Sequence, residues 1–101
     1  MSLSTHVLDT ATGRPAVGLT VRLEDAEGTE LATGVTDTDG RLHLPAVGAG
    51  NYRLVFATGS WFAMEAFYPR VTVEFTVRNP DEHHHVPLLL SPFGYSTYRG
   101  T

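Results

Sequence analysis

The side chains able to do chemistry in this chain are few in kind. It has five histidines and seven basic residues, all seven of them arginine, and no cysteine. Without lysine, Schiff-base chemistry and a lysine general base are excluded. Without cysteine, so are thiolate nucleophiles, thiolate metal sites and disulfides. Proton transfer near neutral pH therefore falls first to histidine, with Asp, Glu and Tyr behind it. Arginine stays charged at any working pH and offers a planar fork of donors suited to carboxylates, ureas and imides. Three of the histidines stand together as His83-His84-His85, at the head of the run Val86-Pro87-Leu88-Leu89-Leu90-Ser91. In an extended segment, side chains alternate between faces. His84, Val86, Leu88 and Leu90 then share the face that meets the core. His83, His85, Pro87, Leu89 and Ser91 share the other, so two imidazoles are presented together away from the core. Such a pair is also a His-x-His metal pair, a spacing used by zinc and iron sites. The metal reading of His83 and His85 needs a third ligand, from His6 or from a carboxylate on another strand.

The elements that must position these residues are short strands. Ser4 to Asp9 alternates, with Ser4, His6 and Leu8 on one face and Thr5, Val7 and Asp9 on the other. Thr10 to Pro15 turns on its Gly and Pro. Leu19 to Glu24 is a period-two strand followed by the hairpin turn Asp25-Ala26-Glu27-Gly28. Leu31 to Thr36 is a weaker strand, ended by the turn Asp37-Thr38-Asp39-Gly40. Arg41 to Leu44 is a short strand stopped by Pro45, and His43 on it reads as a solvated or packing residue. Asn51 to Thr58 puts Tyr52, Leu54 and Phe56 on one face. Gly59-Ser60 can cap a short helix over Trp61 to Phe67, which Pro69 ends. On it, Trp61, Phe62 and Met64 read as contacts to the sandwich. Arg70 to Arg78 alternates best, with Val71, Val73, Phe75 and Val77 inward. After Asn79-Pro80-Asp81 comes the histidine strand, and Ser91-Pro92-Phe93-Gly94 then turns the chain so that Tyr95 to Arg99 can fold back as a hairpin partner. About eight short strands with turn signals every 8–12 residues is the pattern of an all-β sandwich.

A chain of 101 residues supports one domain, residues 1–101. It buries roughly two thirds of its unfolded surface, enough for a core but not for a deep pocket inside one subunit. A small β domain that does chemistry therefore often builds its pocket between subunits, a reason to expect an oligomer. A formal charge of −4 argues against a nucleic-acid partner. The first residues lack the basic and apolar regions of a signal peptide, and nothing approaches a membrane span. With the absence of cysteine, this fits the cytoplasm.

Certain motifs are more specific. They are Leu3-Ser4-Thr5-His6-Val7-Leu8-Asp9, continuing through Gly13, Pro15 and Ala16; Asp39-Gly40-Arg41; His85-Val86-Pro87-Leu88-Leu89-Leu90-Ser91-Pro92; and the closing Tyr98-Arg99-Gly100-Thr101. In these the chain resembles the transthyretin-like proteins and, within them, the 5-hydroxyisourate hydrolases. The resemblance implies an all-β, eight-stranded transthyretin-like (prealbumin-like) sandwich of two sheets with one short helix. It implies a homotetramer with active sites in the channel between two dimers. The reaction it implies is hydrolysis of 5-hydroxyisourate, the product of urate oxidation, to the ring-opened ureido-imidazoline, with no cofactor and no metal. Carried over residue by residue, the catalytic set is His6, Arg41, His85 and the terminal position, here Thr101. Tyr98 matches the tyrosine that narrows the channel, and with Arg41 it would meet the substrate. The family usually ends in serine; threonine keeps a hydroxyl there. The residue between the two tail histidines is commonly tyrosine and is His84 here, on the opposite face.

The implied chemistry opens a cyclic amide by attack of water on a carbonyl carbon. It needs a base for the water, donors for the developing oxyanion and a proton for the leaving nitrogen. His6 and His85 can serve together if their strands share a sheet; which is base and which acid stays open. Two other classes compete. A transthyretin-like carrier of a small aromatic ligand needs no proton-transfer pair. An adhesion domain of the sandwich class normally brings an export signal.

Overall fold

The computed structural model describes residues 2–62 and 66–101. The extended segments are β1 (Leu3–Asp9), β2 (Arg14–Pro15), β3 (Thr20–Asp25), β4 (Glu30–Val35), β5 (Arg41–Leu44), β6 (Gly50–Phe56), β7 (Val71–Val77), β8 (His84–Ser91) and β9 (Gly94–Thr97). A single helical turn, α1 (Thr58–Phe62), stands between β6 and β7. They form two sheets, as the alternation and turn spacing predict. The eight expected strands are all present; the addition is β2, a two-residue hook pairing Leu8 with Pro15 and Asp9 with Arg14.

The first sheet is built on β1. On one side β1 pairs with β8 in parallel, from Leu3 opposite His84 to Asp9 opposite Leu90. On its other side it pairs antiparallel with β5 along its first half and with β2 at its end. β9 completes this sheet as the hairpin partner of β8. The β8–β9 turn is closed by Ser91, whose Oγ donates to Gly94 O (3.0 Å) and accepts from Gly94 N–H (3.1 Å). The second sheet runs β4-β3-β6-β7, all antiparallel, with a bulge between Leu23 and Glu24.

The inward faces interlock as the period-two pattern requires. Leu3 and Val7 of β1 and Leu88 and Leu90 of β8 join Val21, Leu23, Leu54, Phe56 and Val71 of the second sheet in one core. Each fully buried Leu, Val or Phe contributes about 1.5–3 kcal/mol relative to exposure, so the core pins the register of β1 and β8. Slipping either strand by one residue would exchange its apolar face for its imidazole face. Polar groups among these strands have partners. Fully buried Thr5 donates its hydroxyl proton to Val86 O (2.6 Å), tying β1 to β8. Buried His84 makes a 3.0 Å bond from Nδ1 to Glu82 O. That side chain packs inward, as alternation predicts.

The helix departs from the sequence reading. It begins at Thr58, ahead of the expected cap at Gly59-Ser60. The reason is a clasp across the loop: Thr58 Oγ1 donates to Tyr68 O (2.6 Å) and Gly59 N–H donates to Pro69 O (2.9 Å). A Cβ at Gly59 would stand 2.9 Å from Pro69 O, so the close approach needs glycine. The expected continuation through Ala63, Met64 and Glu65 lies outside the described residues, and Ala66 and Phe67, expected in the helix, are not helical.

Candidate active site

The outer face of the first sheet gathers most of the reactive residues, and its positioning begins with a turn. Asp37 Oδ1 accepts from the N–H groups of Asp39 and Arg41, each at 2.9 Å. Asp37 N–H donates to Arg41 O and Gly40 N–H to Asp37 O, both at 2.9 Å. The backbone hydrogen bond from Arg41, then that from Asp39, holds the Asp37 carboxyl below the usual carboxylate range, so it stays an acceptor. Gly40 adopts φ 76°, a left-handed conformation that favours glycine. Its carbonyl accepts from Val7 N–H at 2.8 Å. A Cβ there would stand 2.5 Å from Val7 O. The turn is thus seated against β1, and the register that follows sets Arg41 opposite His6 and His43 opposite Ser4.

On the other side of β1, the parallel register sets His85 opposite Ser4 and Pro87 opposite His6. Cross-strand partners point to the same side of a sheet. Ser4, His6, Arg41, His43 and His85 therefore share one face. Ser4, although on the outer face, is buried, because the two tail imidazoles cover it. Its Oγ lies 2.8 Å from His85 Nδ1 and 3.1 Å from His83 Nε2. His83 Nδ1 in turn bonds Ser2 Oγ. The rings of His83 and His85 are nearly parallel, 17° apart with centroids separated by 6.2 Å.

His85 is held below the usual histidine range. Burial is the largest cause, followed by the fields of His83 and His6 when charged; Arg41 adds to the effect, and a hydrogen bond with the Ser4 backbone opposes it. A neutral imidazole at neutral pH can accept a proton. Gly100 closes over this ring. Its N–H donates to His85 O at 2.8 Å, and a Cβ on it would fall 2.5 Å from His85 Cδ2 and 3.1 Å from Pro87 Cγ. No other residue type fits against the ring without moving it.

The structure thus brings together His6, Arg41 and His85, which the motifs single out. Thr101 follows Gly100 and is exposed. Tyr98, 58% exposed, stands at the flank. It lines a mostly apolar cleft of about 280 Å³ between β7 and the tail, shared with Phe75, Val86 and His85. That cleft adjoins the polar face and is not centred on it. His43 is exposed, as the sequence reading has it, yet its register with Ser4 sets it at the margin of this same face. Among the described residues, no group of three or more His, Asp or Glu side chains is arranged to hold a metal ion, and none of them gives His83 and His85 a third ligand. Sequence reasoning assigned no role to Ser4, Gly100 or Asp37. Alternation already set Ser4 on the face of His6, but its link to His83 and His85 spans about eighty positions.

Comparison with known proteins gives a consistent result. The sequence profile described as the HIUase/Transthyretin family matches residues 3–100. A 5-hydroxyisourate hydrolase of Salmonella dublin is 48% identical over 109 residues, covering 98% of this chain and 80% of that protein. Another of that name from Caulobacter vibrioides is 46% identical over 112 residues, covering 98% and 97%. Among solved structures, Klebsiella pneumoniae 5-hydroxyisourate hydrolase superposes with a TM-score of 0.91 at 43% identity, over all of both chains. Sea bream transthyretin in complex with thyroxine superposes with a TM-score of 0.87 at 32% identity, over 98% of this chain and 94% of that one.

Proposed function

The chain belongs to the HIUase/Transthyretin family, and from that premise we propose that it is a 5-hydroxyisourate hydrolase acting in urate breakdown. The observation that carries the choice of hydrolysis over carriage is the register of β1: His6 opposite Arg41 on one side, Ser4 opposite His85 on the other. A carrier of a small aromatic ligand has no use for two imidazoles and a guanidinium converging on one face. Similarity to hydrolases at up to 48% identity, against 32% for the thyroxine-bound transthyretin, supports the same choice.

The proposed chemistry follows from the side chains. Arg41 donates to the carbonyl oxygens of the substrate and stabilises the oxyanion as it forms. His85, neutral at neutral pH, takes a proton from a water molecule whose oxygen attacks the carbonyl carbon. His6 gives a proton to the ring nitrogen as the carbon–nitrogen bond breaks. The ring opens, one water is consumed, and no covalent enzyme intermediate is formed. Thr101 and Tyr98 border the substrate, and no cofactor or metal takes part.

Residues 1–101 act as one domain in this reading, and the enzyme is a homotetramer whose sites lie in the channel between dimers. An exposed Arg41 supports this, because a guanidinium open to bulk water orients a small polar substrate weakly. No helix of the described residues is long and apolar enough to cross a membrane. A cytoplasmic location, which a cysteine-free chain suits, belongs to the same proposal. The test is direct: generate 5-hydroxyisourate with urate oxidase, add the protein and follow the ultraviolet decay of the intermediate. Acceleration proportional to protein concentration is expected. A decay rate unchanged at any protein concentration would leave the carrier reading in its place.

A further inference from the structure

Ser4 occupies Nδ1 of His85, which leaves Nε2 for the attacking water, and the hydrolytic reading gives the Nδ1 side no role. That side is built. Ser4 Oγ, buried between β1 and β8, touches His85 Nδ1 at 2.8 Å and His83 Nε2 at 3.1 Å, and His83 Nδ1 bonds Ser2 Oγ at the exposed end. The order Ser2, His83, Ser4, His85 alternates hydroxyl and imidazole without a gap. Each hydroxyl can donate one proton and accept another, and each neutral imidazole has one donor and one acceptor nitrogen. The chain can therefore be fully satisfied with all its donors pointing outward, or with all of them pointing inward. Nothing in hydrolysis alone requires the second histidine or the buried serine, since a backbone carbonyl suffices to fix an imidazole's tautomer.

We propose that Ser4 and His83 form a proton exit behind His85, running from the reacting face to solvent at Ser2. The proposal rests on the hydrolase reading above for the step that it serves. In the outward state, His85 Nδ1–H donates to Ser4 Oγ, Ser4 O–H to His83 Nε2, and His83 Nδ1–H to Ser2 Oγ. When His85 Nε2 takes a proton from the attacking water, each proton along the chain moves one place outward and one leaves to solvent beside Ser2. One proton enters and one leaves, so His85 never has to carry a net charge among His6, Arg41 and His83. The inward state that results leaves Nε2 protonated; as Nε2 gives up that proton at the reacting face, one proton re-enters from solvent at Ser2, each proton along the chain moves one place inward, and the starting arrangement is restored. Ser4 and His83 are positioning residues here, since neither meets the substrate.

His83 is exposed, so its removal should leave the fold intact. In the full-length chain, His83→Ala should lower kcat by about 10–100-fold with KM little changed, part of the about 10²–10⁴-fold that acid–base catalysis contributes. Added imidazole should restore kcat in His83→Ala, because the gap opens to solvent. It should not restore Ser4→Ala, whose gap is buried. A His83→Ala enzyme with wild-type kcat, or with a loss that imidazole does not relieve, would overturn the exit. Nitrogen NMR of the imidazoles separates this from failure of the hydrolase reading. Ser4→Ala should shift the Nδ1 resonance of His85 and the Nε2 resonance of His83 together, whether or not 5-hydroxyisourate is turned over. A shift confined to His85 would show that no chain exists. No turnover by the wild type, with both resonances shifting, would remove the substrate and leave the relay standing.

Discussion

At the scale of the residue, His85 has the environment of a base. Burial and the neighbouring cationic groups hold its proton affinity below the usual imidazole range, so it remains neutral to lower pH than a free histidine. The acid limb of kcat/KM should accordingly fall below the ordinary value of about 6.5. The sign follows from the cause: acid protonates His85 and stops it from accepting. His83→Asn removes one source of the lowering and should move that limb upward. Substitution separates the roles further. His6→Asn and His85→Asn should each lower kcat by about 10²–10⁴-fold. Arg41→Lys keeps the charge and loses the fork, so KM should rise as kcat falls. A His85→Asn enzyme that folded normally and kept nearly full kcat would end the mechanism argued here.

The elements matter through two glycines that carry strands or tail past the reacting groups. Gly40 combines a left-handed backbone with a 2.5 Å approach to Val7 O. Gly40→Ala therefore asks for a strained φ, costing about 1–2 kcal/mol, and pushes the turn off β1. Lower thermal stability and a raised KM are expected together, because Arg41 loses its register with His6. Gly100 is different. Its backbone is unstrained, and the obstacle to a Cβ is the His85 ring, on the outer face and away from the core. Gly100→Ala should melt near the wild-type temperature while kcat falls, because the ring must turn away from Ser4. Thermal melts beside kinetics distinguish the two; an unstable Gly100→Ala or a fully active one would contradict the geometry.

For the molecule as a whole, the sandwich supplies a rigid platform and leaves the platform open. The core clamps β1 against β8 from one side, while the other side carries Arg41 exposed to the surface, with exposed Tyr98 at its flank. Water competes with every hydrogen bond on such a face, and a second subunit is the economical way to exclude it. Light scattering should give a tetramer, and specific activity on dilution should fall in step with dissociation. A fully active monomer would remove the need for a site between subunits.

The strands, the inward faces and the split of the tail histidines were legible in the sequence, because a half-buried strand must alternate and the chain does so plainly from Val71 to Val77 and from His84 to Leu90. The motifs at the two ends carried the family. The extent of the helix was not legible, since Thr58 is drawn into it by Tyr68 and Pro69, residues beyond it in sequence. Nor was the pairing of β1 with β8, in parallel and across nearly the whole chain. Alternation says which side chains share a face of one strand, but not which strands are neighbours. That neighbourhood turned Ser4 from a polar strand residue into the bridge between two imidazoles, and made Gly100 the residue that presses on His85. Such contacts depend on how separate segments pack, and local patterning carries no record of them.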